Sequence, residues 1–347
     1  MGLMKTWAAG VFLVAALAIA QPPQALVDAQ AAMQRKNYAA ALRLLRPLAQ
    51  SGDPNAQAML GTIYALGLGV PRNATEAVSW FRKAADKGQP DAQGNLGIAY
   101  MTGQGVQRNY AEAAAWFRKA ADQKDPNAQA NLGSLYARGQ GVPKDPEQAA
   151  AWYRKAAEQG LAEAQYSLGI AYMNGVGVAK NEAEGINWFR KAADQGVPEA
   201  QANLGMAYAI GMGVAKDRAE SVKWSSKAAQ HGISQGQESL RGLAEEGYAP
   251  AQNELGLTYE KGWGSLKIDA EAVNWYRRAA EQKFAAAQFN LGRMYAAGKG
   301  TRQSDIEAYK WFALAAAQGN LDARKQLAEV AKRLTAEQIA EAKQGAR

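Results

Sequence analysis

The 347-residue chain has no cysteine and one histidine, His231, which excludes a disulfide framework, ordinary zinc sites and Cys/His nucleophilic catalysis. Lysine and arginine outnumber aspartate and glutamate by 40 to 32, a net charge of +8 that favours anionic surroundings without choosing among them. The length alone would suggest about two domains, unless the chain grows by repetition and needs no single large core.

The first twenty residues differ in kind from the rest of the chain. Lys5 precedes an apolar run from Trp7 to Ala20 that ends Ala18-Ile19-Ala20 before Gln21, the pattern of a secretory signal peptide over residues 1–20 with A-x-A cleavage. A retained signal anchor is the alternative, but the run falls short of the roughly 20 residues that span a bilayer. No cysteine follows it, which excludes a lipid-modified lipoprotein. The mature chain is therefore expected to be periplasmic or secreted in a bacterium, with no transmembrane segment. Residues 21–52 read as a helical hairpin cap, joined near Lys36-Asn37, with apolar positions at Ala40, Leu42, Leu44, Leu45 and Leu48.

From residue 53 the chain repeats itself every 36 residues. Leu-Gly pairs fall at Leu60-Gly61, Leu96-Gly97, Leu132-Gly133, Leu168-Gly169, Leu204-Gly205, Leu255-Gly256 and Leu291-Gly292, each followed three residues later by tyrosine. Tryptophan keeps the same period, from Trp80 to Trp311. In the third copy Ala128, Leu132 and Tyr136 recur at i, i+4 and i+8, one apolar stripe of a first helix. Gly133 allows a second helix to approach closely. Gly139-Gln140-Gly141-Val142 ends the first helix, with Pro143 and Pro146 beyond it. A second helix from about Pro146 to Gln159 buries Ala149, Trp152, Ala156 and Ala157, and Gly160 closes it.

This signature, A-x-x-x-L-G-x-x-Y-x-x-G-x-G-V followed by A-x-x-W-x-x-K-A-A-x-x-G, resembles the Sel1-like repeat family, relatives of the tetratricopeptide repeats. The resemblance covers roughly residues 53 to 320. It implies an all-α fold, an α/α solenoid or superhelix of stacked helix-turn-helix units, used as an adaptor surface rather than for one reaction. Five repeats occupy 53–237. A truncated repeat is expected at 238–252, because Leu240-Arg241 keeps the period but passes at once into a closing segment. The Gly205 to Gly256 interval is thus 51 residues rather than 72, and a kink or break is expected near 232 to 265. Repeats resume over 253–320, the first with Gly262-Trp263-Gly264-Ser265 in its loop. Residues 321–347 form a C-terminal helical cap, where Thr335 and Gln338 have capping-box spacing for a helix to about Gln344.

Little in the sequence suggests chemistry. Gly232-Ile233-Ser234-Gln235-Gly236 matches G-x-S-x-G, but a nucleophile elbow needs a preceding strand and a distant histidine, and here the segment lies between helical repeats beside His231. No phosphate-binding loop or dinucleotide fingerprint occurs. The chain is therefore read as not an enzyme, with no cofactor and no metal. The basic pairs Arg82-Lys83, Arg118-Lys119, Arg154-Lys155, Arg190-Lys191 and Arg277-Arg278 each have an acid four residues after the first arginine, which predicts an outer face of i,i+4 pairs.

A stripe beside the core stripe of each first helix is free to vary. Its members in the regular repeats are Asn95, Ile98 and Thr102, then Asn131, Ser134 and Arg138, then Ser167, Ile170 and Asn174, then Asn203, Met206 and Ile210. The resemblance implies that first helices line the concave surface. Amides and hydroxyls beside apolar side chains suit an extended peptide, whose backbone needs hydrogen bonds and whose side chains need apolar pockets. Asn95, Ile98, Asn131, Arg138, Ser167, Ile170, Asn174, Asn203, Met206 and Ile210 are accordingly the expected partner-binding residues. The resulting expectation is a scaffold binding a protein or peptide in the cell envelope. The alternatives are a binder of anionic envelope glycan, or less readily an envelope hydrolase; nucleic acid is not expected for an exported protein.

Overall fold

The computed structural model describes residues 23–345; the expected signal peptide lies outside the described residues. Nineteen helices and no strand occur among them, an all-α solenoid of tandem two-helix repeats. The described residues divide into two compact units, one up to residue 120 and one from residue 121. The first contains α1 (Gln24–Gln34), α2 (Tyr38–Gln50), α3 (Pro54–Leu66), α4 (Ala74–Ala85), α5 (Pro90–Thr102) and most of α6 (Tyr110–Asp122). The second contains α7 (Pro126–Arg138), α8 (Pro146–Glu158), α9 (Ala162–Asn174), α10 (Glu182–Asp194), α11 (Pro198–Ile210), α12 (Arg218–Gln230) and α13 (Ser234–Glu245). It continues through α14 (Ala249–Lys261), α15 (Asp269–Glu281), α16 (Ala285–Ala297), α17 (Asp305–Ala317), α18 (Leu321–Ala331) and α19 (Ala336–Gln344).

The helix boundaries follow from local chemistry. Second helices open on a side-chain acceptor at the N-cap: Asn73, Asp145, Asn181, Asp217 and Ser304 each accept from a backbone N–H of the first turn, satisfying donors that the helix leaves unpaired. First helices close on glycine in the left-handed region, such as Gly139 at φ 67°, where a side chain would be strained. The capping box at Thr335 and Gln338 forms as the spacing predicts.

Packing within a repeat turns on the Leu-Gly glycine. A Cβ placed on Gly169 would sit 2.6 Å from the Phe189 ring, and one on Gly256 2.7 Å from Tyr276. The missing side chain is the socket for an aromatic ring twenty residues downstream. Those rings are among the most deeply buried side chains: Phe117, Phe189, Tyr276 and Phe312 are each no more than 2% exposed. Burying such rings removes on the order of 150 to 250 Å² apiece from water, so each repeat is stabilised largely by this pair of positions and the tryptophan beside it.

Repeat five breaks the rule. Ser225 stands where the ring should be, and its Oγ would lie 2.3 Å from a Cβ on Gly205. Without the ring, α11 and α12 approach more closely, and Ser221 Oγ donates to Gly205 O at 2.8 Å. Gly236 of α13 then fits against the other side of α12, where a Cβ would come within 2.6 Å of Ser225 O.

This close packing seats α13, which plays two parts at once. Toward α12 it carries Gly236 and Leu240, while Gln237, at a first-helix position, donates instead to Thr258 Oγ1 of α14 at 3.4 Å. Toward α14 it acts as a second helix: Arg241 donates to Tyr259 Oη at 2.7 Å and Ala244 O accepts from Gln252 Nε2 at 2.9 Å. One apolar core runs from Val222 and Ala229 through Leu240, Leu243 and Ala244 to Leu255, Tyr276 and Trp311. The irregularity expected near 232 to 265 is therefore a single bridging helix, and the core passes through it without interruption. The G-x-S-x-G segment is the turn into this helix, with Ser234 exposed at its first position and Gly232 at φ 82°.

Candidate functional site

Two sets of side chains tie successive repeats together, and neither was read from the sequence. A buried glutamine three residues before each Leu-Gly donates to the carbonyl eight residues earlier, at the end of the preceding second helix. Gln57, Gln165, Gln201, Gln252 and Gln288 do so to Ala49, Ala157, Ala193, Ala244 and Ala280 at 2.9 to 3.2 Å. A second glutamine donates to the first one's Oε1, as Gln159 to Gln129, Gln195 to Gln165 and Gln318 to Gln288. In repeat five His231 occupies that second place, and Gln201 Oε1 is left buried without a partner. The signal was available: glutamine recurs at that position in every Leu-Gly copy.

The recurrent basic pairs have a different role from the one expected. Arg154, Arg190 and Arg277 donate to Tyr172, Tyr208 and Tyr295 of the next repeat at 2.6 to 3.0 Å, and Arg82 does the same to Tyr100. The following lysines lie over tryptophan rings, Lys155 over Trp152 and Lys191 over Trp188 at 3.7 Å. No ion pair among the described residues joins Arg154, Arg190 or Arg277 to Glu158, Asp194 or Glu281. A tyrosine hydroxyl and an indole face hold these cations better than a solvated carboxylate, because both are partly desolvated.

With those positions committed to structure, the variable stripe lines grooves between neighbouring first helices. In the first unit, Thr62, Leu66, Asn95, Ile98 and Thr102 face one another across a floor made by Ala77, Val78 and Phe81 of α4, with a volume of about 240 Å³. In the second unit, the equivalent groove between α7 and α9 has a volume of about 340 Å³. Tyr153, Ala149 and Ala150 form its floor, Tyr166, Ser167, Ile170 and Val176 one wall, and Lys144 lies at its mouth. Ile98 and Val176 are 40% and 53% exposed, apolar surface open to a ligand. Burial raises the Tyr153 phenol above its ordinary pKa, opposed by its hydrogen bond to Ser134 and by the charge of Arg138. Asn131 is half-buried and Asn174 exposed.

The stripe is closed further along. Asn203 Nδ2 donates to Tyr166 Oη at 3.5 Å, while Gln235 of α13 donates to Asn203 Oδ1 at 3.2 Å and approaches Met206 Sδ at 3.6 Å. Ile210 stays 64% exposed. Between α14 and α16 a charged network lies beside the stripe: Glu260, 7% exposed, accepts from Tyr276 at 2.7 Å and from Arg293 at 2.9 and 3.1 Å. Asn290 donates to Asn253 at 2.9 Å. Burial works to raise the Glu260 carboxyl, but the Tyr276 hydroxyl and the Arg293 guanidinium outweigh it and hold its pKa low. Burial raises Glu254, against hydrogen bonds from Ser226 and Asn253. The sequence signalled this change of character where Glu254 and Arg293 replaced asparagine and isoleucine on the stripe.

The Sel1 repeat family model matches seven segments: residues 54–89, 90–125, 126–161, 162–197, 198–233, 249–284 and 285–320. The unmatched stretch 234–248 contains α13. A Sel1 repeat protein from Oxalobacter formigenes is 31% identical over 74% of this chain and 97% of its own length, with a TM-score of 0.58. A protective antigen of uropathogenic Escherichia coli with an SLR fold is 30% identical over 93% of this chain and 83% of its own, with a TM-score of 0.47. The comparison with curated proteins gave no match.

Proposed function

This chain belongs to the Sel1 repeat family, whose members usually act as protein-interaction scaffolds; from that premise we propose that it is a non-catalytic, exported scaffold of the bacterial envelope. Its partner is a protein or an extended peptide held between successive first helices. The observation that carries this reading is the pair of equivalent grooves over α4 and α8. Each combines an apolar floor for a side chain with an amide or hydroxyl on its lip, Asn95 in one and Ser167 in the other, for a backbone group. The cross-links at Asn203 and Asn290 make the other two stripes poorer hosts. Arginines and lysines held by tyrosine and tryptophan are spent on stacking, which weighs against the anionic-glycan reading.

Export rests on the pattern of residues 1–20 and is tested by the N-terminus of the protein recovered from an envelope fraction: Gln21 supports it, an intact Met1 overturns it. Binding is tested with Ile98→Glu and Val176→Glu, which place a charge in each groove at side chains that are 40% and 53% exposed. Partner recovered by photocrosslinking through either groove should bind these variants at least tenfold more weakly, with little change in melting temperature. Undiminished binding would move the site elsewhere.

A further inference from the structure

The loop joining α14 to α15 departs from its counterparts in a way folding does not account for. Residues 139–145 read Gly-Gln-Gly-Val-Pro-Lys-Asp, and Asp145 caps α8 by accepting from Gln148 N at 2.9 Å. Residues 262–268 read Gly-Trp-Gly-Ser-Leu-Lys-Ile. Ile268 stands at the cap position, gives α15 no side-chain cap and is 41% exposed. Leu266 replaces the proline and at 81% is the most exposed large hydrophobic side chain among the described residues. A missing cap destabilises the helix, and apolar side chains left in water gain nothing for the fold. A local rule broken without a structural return is the mark of a surface kept for another purpose.

Cations surround the apolar tip. Lys261 and Lys267 are 47% and 57% exposed, with carboxylates no nearer than 3.8 Å at Glu260 and 3.9 Å at Asp269. Glu260 is already committed to Tyr276 and Arg293. Lys299 and Arg302 are exposed on the next loop, which packs on the first turn of α15: a Cβ on Gly300 would lie 2.2 Å from Asp269 O. The acids of that turn, Asp269 and Glu271, are half-buried.

We propose that the 262–268 loop is a contact site for an anionic lipid surface. Leu266 and Ile268 enter the interface, the Trp263 ring lies at head-group depth, and Lys261, Lys267, Lys299 and Arg302 reach the phosphates. Amphipathic tryptophan and long cationic stems around an aliphatic tip match the layering of apolar chain and negative head group. An apolar protein cleft would accept the same tip, but four cations around it call for an extended field of negative charge.

The test is co-sedimentation of a chain beginning at Gln21, which retains every described helix, with vesicles of phosphatidylcholine containing one third phosphatidylglycerol. The parent should sediment with these and not with pure phosphatidylcholine. The double change Leu266→Ser and Ile268→Asn should reduce binding at least tenfold while leaving the fold at least as stable, since asparagine restores the cap. Lys261→Gln with Lys267→Gln should weaken binding and its dependence on anionic lipid. A double variant that sediments like the parent overturns the proposal. A parent that stays in solution also overturns it and makes an acidic protein cleft the occupant.

Discussion

Glu254 and Glu260 lie on one helix six residues apart and are displaced in opposite directions, so their effects on stability have opposite signs. The folded pKa of Glu254 lies above its unfolded value; the folded state retains the proton longer, and stability falls as pH rises from the ordinary carboxylate range toward the folded value. Glu260 is depressed, so its contribution is present above the unfolded value and lost as pH falls through the folded one. Glu254→Gln should therefore raise the melting temperature near pH 7, the difference shrinking toward about pH 4 where the parent is itself protonated. Glu260→Gln should lower it near neutrality and matter least in acid. Thermal melts across that range check both. Trp152, 5% exposed beneath Lys155, should cost about 3 to 5 kcal/mol when changed to alanine, measured by denaturant unfolding. The tryptophan's role was legible from its period. The network around Glu260 was not, because Tyr276 and Arg293 come from other helices and only folding brings them to the carboxylate.

At the level of helices, caps and rungs can be improved where the chain departs from its own pattern. His231→Gln should supply the missing donor to buried Gln201 Oε1 and stabilise by about 1 kcal/mol, read as a shift in the denaturant midpoint. A lower midpoint would show that the rung geometry of repeat five differs from that of Gln159 and Gln129. Asn203→Ala should destabilise by a similar amount, since it breaks the links to Tyr166 and Gln235; an asparagine that looked like free lip from its spacing alone is half structural. The helices themselves were readable almost everywhere, because proline, glycine and a capping side chain punctuate them every 36 residues. The dual role of α13 was hidden: its first half matches one template and its second half another, and a sequence read by period registers only a deletion. Arg154 likewise had an acid at helical spacing and a tyrosine eighteen residues on, and no local rule ranks the second above the first.

Across the array, stability is a sum of repeat and interface terms, so removing residues 234–248, the whole of α13, should cost more than its own burial. It would set the second-helix face of α12 directly against α14, with Ala229 in the place of Ala244 but Ser226 in the place of Arg241, so that Tyr259 loses its donor. Circular dichroism of this deletion should show early melting of the C-terminal helices while the repeats before it hold. The bridging helix also decides sidedness in the second unit. In the preceding copies each G-x-G loop lies at the start of the previous second helix, as Gly177 does against Pro146 and Gly213 against Glu182. After α13, Gly264 lies instead against Ile233 O and Ala229 O, at the far end of α12, a thirteen-residue helix about 20 Å long. One extra helix changes the parity of the up-and-down alternation, so the loops before it and the loops after it emerge on opposite margins of the stack. A ligand following the loop margin would run out of track at α13, and the Trp263 to Ile268 tip is free to meet a second surface while the earlier margin is occupied by the first.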